Sequence, residues 1–328
     1  MVRIALDAMG GDFAPQQTVL GAIDASARGV DVVLVGDEGL LRTELEKAGP
    51  DLPIVHAPDV IDMSDDPAAA IREKKGASVS VAARLVSEGL AAGMVSAGST
   101  GAAMAAAAIV IGRIPGVSRP AIATIFPLGT PTVVLDAGAN IDVKASHLAQ
   151  FAVMGSVVAE VYLGVTEPTV GLLNIGEEEG KGRDLEREAH KVLSGQAGIR
   201  FVGNVEGRDL GRGKADVIVT DGFTGNVLLK TAEGSVRAVA RVILEAISSD
   251  TDPEVQTAAQ VILPRLMALR ARFDPEAYGG AHLVGVKGTV VIAHGSSSRV
   301  AIANALAMAA EGAERGLVAR IEAGLSGG

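Results

Sequence analysis

The chain has 328 residues, 48% of them hydrophobic, enough to fill a substantial core. Its formal charge is −10, from 29 basic and 39 acidic residues, and with two Tyr, six Phe and no Trp it has little for base stacking, so nucleic acid is a poor partner. Cysteine is absent, which excludes disulfides, thiolate metal sites and an acyl-cysteine intermediate and fits a reducing compartment.

The start of the chain, MVRIALDAMGG, has no signal-peptide apolar stretch, and no uncharged run is long enough to span a bilayer, so the sequence predicts a cytoplasmic protein. Short β-branched runs then alternate with amphipathic stretches. Strands are predicted at residues 3–7, 32–36, 54–56, 94–97, 122–126, 132–135, 170–174, 217–220 and 290–293. Helices are predicted at 16–28, 38–47, 78–87, 100–111 and 144–162. Strands separated by helices imply right-handed crossovers, so the expected fold class is α/β: a mostly parallel sheet with helices on both faces. Residues 102–111, almost all Ala, Ile and Val, read as a helix buried on all sides.

Two consecutive helices break the alternation, at 226–248 and 253–273. Leu229, Ala232, Val236, Val239, Ile243 and Ala246 form one apolar seam; Val255, Ala259, Ile262, Leu266, Leu269 and Phe273 form another. Asp252 before Pro253 reads as an N-cap before a favoured first helical residue. The expectation is one catalytic α/β unit over 1–328, in one or two lobes, carrying a helical hairpin at 226–273 that zips against itself or a second subunit.

Ligands of parallel α/β sheets bind beyond the carboxyl ends of strands, so the strand-end turns are the candidate sites. The first is DAMGGD, with Asp7, Gly10, Gly11 and Asp12; its glycines allow either a plain tight turn or close approach to a ligand. The second is SAGSTG, with Ser96, Gly98, Ser99, Thr100 and Gly101, which reads as an anion site at a helix start or as a simple N-cap. LDAGAN brings Asp136 and Asn140 to another strand end. LLNIGEEEGKG carries Asn174 and Lys181, and DGFTGNVLLK carries Asp221, Asn226 and Lys230. Side-chain amides can stabilise an oxyanion and an ammonium can neutralise a phosphate; equally, Asn226 could cap its helix and Lys230 could be solvated. His294 before GSSS could protonate a leaving thiolate or simply bond its own backbone. The remaining histidines have no metal-ligand spacing, so no metal is expected. There is no G-x-G-x-x-G, no complete Walker A and no G-x-S-x-G, which weakens nicotinamide, nucleotide and acyl-serine readings.

These segments, joined by RPAIATIFP, QFAVMG, FVGNVEGRD, YGGAHLVGVKG and HGSSS in the same order over residues 7–298, resemble the bacterial phosphate acyltransferase family. That family converts acyl-acyl carrier protein and orthophosphate to acyl phosphate for phospholipid synthesis. The resemblance implies an isopropylmalate dehydrogenase-like and phosphotransacetylase-like fold, a homodimer, no cofactor, and peripheral attachment to an anionic membrane surface. The substrates implied are acyl-acyl carrier protein and inorganic phosphate. Ser99 stands where the family's SAGNTG asparagine is expected. For membrane contact the candidate is the second hairpin helix, whose Val261, Leu263 and Met267 lie off the seam beside Arg265, Arg270 and Arg272, with Pro264 as a bend. The alternative is burial of the same residues in a dimer interface.

Overall fold

The computed structural model describes residues 2–127, 129–272 and 278–326. Its strands are β1 (Arg3–Asp7), β2 (Asp31–Gly36), β3 (Ile54–His56), β4 (Gly93–Ser96), β5 (Ala121–Phe126), β6 (Thr132–Leu135), β7 (Thr169–Leu173), β8 (Arg200–Val205), β9 (Val217–Val219), β10 (Ala281–Val284) and β11 (Thr289–Ile292). They form one sheet in the order β3-β2-β1-β4-β11-β10-β5-β6-β9-β7-β8. Every residue of β4, β6, β9 and β11 is buried. Uninterrupted apolar burial is what a strand covered on both faces requires.

Seven strand pairings are parallel and three, all involving β5 or β10, are antiparallel. Because β11, β10, β5 and β6 pair antiparallel in succession, three reversals in all, the two ends of the sheet run in opposite directions. Register makes this functional. Ser96 pairs with Ile292 and Ile292 with Ala281; its neighbour His282 pairs with Ala123, Ala123 with Leu135 and Leu135 with Val219. Along this one row β4 and β11 end from one direction and β6 and β9 end from the other.

Helices α1 (Gln16–Ala27), α2 (Glu38–Ala48), α3 (Pro67–Glu73), α4 (Ser78–Ser87) and α5 (Thr100–Ala106) serve the first half of the sheet. Helices α6 (Ala145–Val158) and α7 (Asp184–Ser194) serve the second, and the long α8 (Gly222–Ser249) and α9 (Pro253–Arg272) make the hairpin. Two more, α10 (Arg299–Glu314) and α11 (Leu317–Ser326), close the chain. Val19 and Ala22 of α1 and Ile302 and Leu306 of α10 bury one face of β1 and β2 with Ile4, Leu6 and Leu34. The opposite face is covered by α4 and α5. Phe151 and Met154 of α6 fill the second half around Leu135, Val170 and Val219.

Several elements differ from the sequence expectation. α5 continues as a π-helical turn, Ala107–Ile111, and Ile109 is 45% exposed, so this segment is not buried on all sides. α8 begins at Gly222, capped by Asp221, which puts Asn226 inside the helix rather than at its boundary. Asp252 does cap α9, accepting from the Glu254 N–H at 2.8 Å. The hairpin seam closes only in part within the chain: Leu229 and Ala259 are buried, whereas Val239 and Ile243 are 59% and 42% exposed. Phe273 lies outside the described residues, and nothing is described of the side chains of Leu269, Arg270 and Arg272.

Candidate functional site

Three turns meet at the carboxyl ends of β1, β4 and β11. The buried Asp7 carboxylate accepts from the Ser96 hydroxyl at 2.7 Å, and the same hydroxyl accepts from the Gly98 N–H at 3.2 Å. Burial pushes the Asp7 carboxyl up, against the pull of the Ser78 and Ser96 hydroxyls and the Met9 and Gly10 backbone. Gly10 packs so tightly into this joint that a Cβ there would lie 2.8 Å from the Gly98 nitrogen. The third turn is tied in by the Asp12 N–H, which donates to the Gly295 carbonyl at 2.8 Å. Ser99 caps α5 through the Ala102 N–H, at 3.4 Å.

A cavity of about 570 Å³ opens in front of these turns. Asp12, Gly98, Thr100 and His294 line one side, and Asn226 and Lys230 of α8 line the other. Ile122, Thr124 and Phe126 of β5 contribute apolar surface between them. The exposed His294 ring accepts the Ser296 backbone N–H on Nδ1 at 3.3 Å, and the Ser296 hydroxyl lies 2.8 Å from that nitrogen. A neutral ring that accepts at Nδ1 carries its proton on Nε2. Lys230 Nζ is held by Glu233 at 2.9 Å.

Asp136 is the hub opposite. Its fully buried carboxylate takes five donors: the N–H groups of Ile122, Gly138, Ala139 and Asn140, and the Asn140 side-chain amide. A carboxylate so satisfied is a structural clamp. The Asn140 amide also donates to the Pro120 carbonyl at 2.8 Å, so both of its donors are spent on the fold, and Asn140 does not line the cavity. α8 starts hard against this clamp: the Gly222 N–H donates to the Asn140 carbonyl at 2.7 Å, and a Cβ on Gly225 would overlap the Asp136 carbonyl oxygen.

Asp221, also buried, caps α8 through the Thr224 N–H at 2.7 Å and pairs with Arg183 at 2.7 Å. Burial pushes its carboxyl up, but Thr224 and the Arg183 guanidinium outweigh that and hold it below the ordinary range. The cavity does not include Asn174, Lys181 or Asp221. Asn174 donates to the Lys181 carbonyl at 3.1 Å and accepts the Ile175 N–H, which folds the GEEEGKG turn upon itself. Asn204 ties down the same turn through the Glu178 carbonyl, and the buried His190 ring sits 3.2 Å from Asn204. Arg183 and Asp136 organise this side; of the two, sequence reasoning passed over only Arg183. Asp136 was signalled by its place at the end of a strand, in the LDAGAN turn.

Among the described residues, no group of three His, Cys, Asp or Glu side chains could hold a metal ion. Nor is any described helix long and apolar enough to cross a membrane.

Glycine-rich turns at strand ends, facing an amide and an ammonium across a largely apolar cleft, define an α/β enzyme that takes its ligand beyond its strands. Residues 2–320 match the family described as fatty acid synthesis protein. A phosphate acyltransferase of Desulforamulus reducens is 49% identical over 329 residues, covering 99% of this chain and 98% of the relative. One of Thermus thermophilus is 49% identical over 326 residues, covering 99% of each. The chain belongs to the fatty acid synthesis protein family, whose relatives at this identity are acyltransferases.

Solved structures agree on the fold. A phosphotransacetylase from Streptococcus pyogenes superposes with a TM-score of 0.65 at 20% identity, covering 96% of this chain and 94% of the other. A 4-hydroxythreonine-4-phosphate dehydrogenase from Burkholderia phymatum gives 0.53 at 14% identity, covering 95% and 98%. The α/β architecture and its mostly parallel sheet are as the sequence predicted, and the likeness in fold to phosphotransacylases and a dehydrogenase is as the resemblance implied.

Proposed function

We propose that this protein transfers a fatty acyl group from acyl-acyl carrier protein to inorganic phosphate, releasing acyl phosphate and the carrier thiol. The observation that carries the reading is the single cleft that joins Gly98 and Thr100, Asn226 and Lys230, and His294 beside an apolar wall. Phosphate sits at the 96–101 turn, its charge balanced by lysine, and one of its oxygens attacks the thioester carbonyl. A C–O bond forms and the C–S bond breaks. The Asn226 amide stabilises the negative oxygen that develops on the carbonyl carbon, and the His294 Nε2 proton goes to the departing sulfur. The chain has no cysteine to form an acyl-thiol intermediate, which favours direct attack by bound phosphate.

Lys181 and Asn174 enter this reading as a second source of charge and amide, on a turn that would have to approach the cleft when the carrier protein docks. A homodimer built on the exposed hairpin seam, and attachment of Val261, Leu263 and Met267 to an anionic membrane surface, complete it. The test is incubation of the protein with acyl-acyl carrier protein, with and without phosphate. Free carrier thiol should appear only with phosphate, in step with hydroxylamine-trappable acyl phosphate. Thiol release without phosphate would make the protein a thioesterase and overturn the proposal.

A further inference from the structure

We infer that Val236 sets the length of acyl chain the enzyme accepts, an assignment that rests on the acyl-transfer reading above. α8 turns Asn226, Leu229, Glu233 and Val236 toward the cleft, and their 3-4-3 spacing puts them on one helix face. Ten residues separate Asn226 from Val236, which is ~15 Å of helix. Across the cleft the wall is lined by Ile122, Thr124 and Phe126, which alternate on one face of β5, and at the end of the strand by Ile125 and Pro127 as well.

This corridor is polar at one end and apolar along its length. Asn226 lies beside Gly138 at the reacting end, where a Cβ on that glycine would be 3.7 Å from the Asn226 Cβ. Beyond it Leu229 packs in one cluster with Ile122 and Phe126. The charges of Lys230 and Glu233 partner each other at 2.9 Å, so an alkyl chain passing them meets a closed ion pair. Val236 is half-buried, and Val239, one turn on, is 59% exposed. Val236 is therefore the last side chain on α8 to line the cleft, at its outer end. A bulkier residue there shortens the corridor without intruding on the core.

The test compares kcat/KM for octanoyl-, dodecanoyl- and palmitoyl-acyl carrier protein in the wild type, Val236→Trp and Val236→Ala. Each methylene kept out of the corridor lowers affinity about fourfold. Val236→Trp should therefore lower the palmitoyl-to-octanoyl ratio at least ~10-fold, while Val236→Ala holds or raises it. An unchanged ratio in the Trp variant, or an equal loss at every chain length, overturns the assignment. If the wild type releases no thiol in a phosphate-dependent way from any donor, it is the acyl-transfer reading that fails instead. Matching thermal melts confirm that both variants are folded.

Discussion

The Ser96 hydroxyl donates to Asp7 Oδ2 at 2.7 Å, and this bond holds the DAMGGD turn against the SAGSTG turn. Gly10 lies in the joint, where a Cβ would stand 2.6 Å from Asp7 Oδ2 and 2.8 Å from the Gly98 nitrogen. A backbone nitrogen cannot swing aside. Gly10→Ala should thus force the turns apart, costing about 1–3 kcal/mol of stability, as overpacking does, and lowering phosphate-dependent turnover. Denaturant unfolding and initial rates check it; wild-type values in both would show that the joint has slack.

Asp221 supports α8 twice, as its cap and as the partner of Arg183. Asp221→Ala should cost at least the ~1–2 kcal/mol of a lost cap and leave Arg183 without this partner. Arg183→Ala should cost less, about 1 kcal/mol or below, because that side chain is 62% exposed. The folded-state pKa of Asp221 is depressed, so its contribution is present above the ordinary carboxylate pKa and is lost as pH falls through the folded value. Thermal melts of both variants between neutral and acid pH read the difference.

His282 titrates in the opposite setting. It is 2% exposed, neither ring nitrogen has a hydrogen-bond partner, and it lies 4.7 Å from the Tyr162 ring. Burial drives its pKa from 6.5 down to about 3. The folded protein therefore keeps this ring neutral while the unfolded chain takes up a proton, so stability is whole above the unfolded pKa and falls as pH drops below it. The slope is about 1.4 kcal/mol per pH unit. His282→Leu should flatten urea stability between pH values either side of the unfolded pKa; an unaltered slope would mean the ring is protonated in place.

Asn226→Ala should lower kcat about 10²-fold, the usual loss for one oxyanion donor, with little change in melting temperature. His294→Gln should slow the reaction most where thiolate departure limits it. Equal rates for wild type and both variants at saturating phosphate would return these residues to purely structural roles.

For the hairpin, Val261 and Met267 are 58% and 48% exposed, and Leu263 is half-buried. Replacing all three with Ser or Gln should abolish cosedimentation with phosphatidylglycerol vesicles while leaving dimer mass and turnover intact. A variant that dissociates yet still binds vesicles would assign these residues to the dimer.

Nine of the strands were legible because β-branched runs such as 32–36 and 132–135 carry a local signal. β8 and β10 were not. β8 has exposed and half-buried positions before two buried ones and is interrupted by Gly203 at φ +91, and β10 is only four residues long with His282 inside it. The reversal at β10 and β5 is set by pairing between distant segments, which no window of sequence contains. The same division holds at the site. The turns around Gly10, Gly98 and His294 were readable as turns, and the structure brings them together. The separation of Lys181 from that cleft was not readable, because it depends on Asn174 and Asn204 folding its turn elsewhere. Arg183 was invisible for a similar reason: its partner Asp221 lies on another element, 38 residues away.

Strand β4 is flanked by β1, made before it, and by β11, made long after it. Until residues 289–314 leave the ribosome, one edge of β4 has no neighbour, and the face of α1 that packs on α10 is bare. A nascent chain halted before β11 thus holds an open, apolar sheet edge of the kind that aggregates or recruits chaperones. It also lacks His294, so no chain halted before β11 has the whole cleft: assembly of the site waits for that strand.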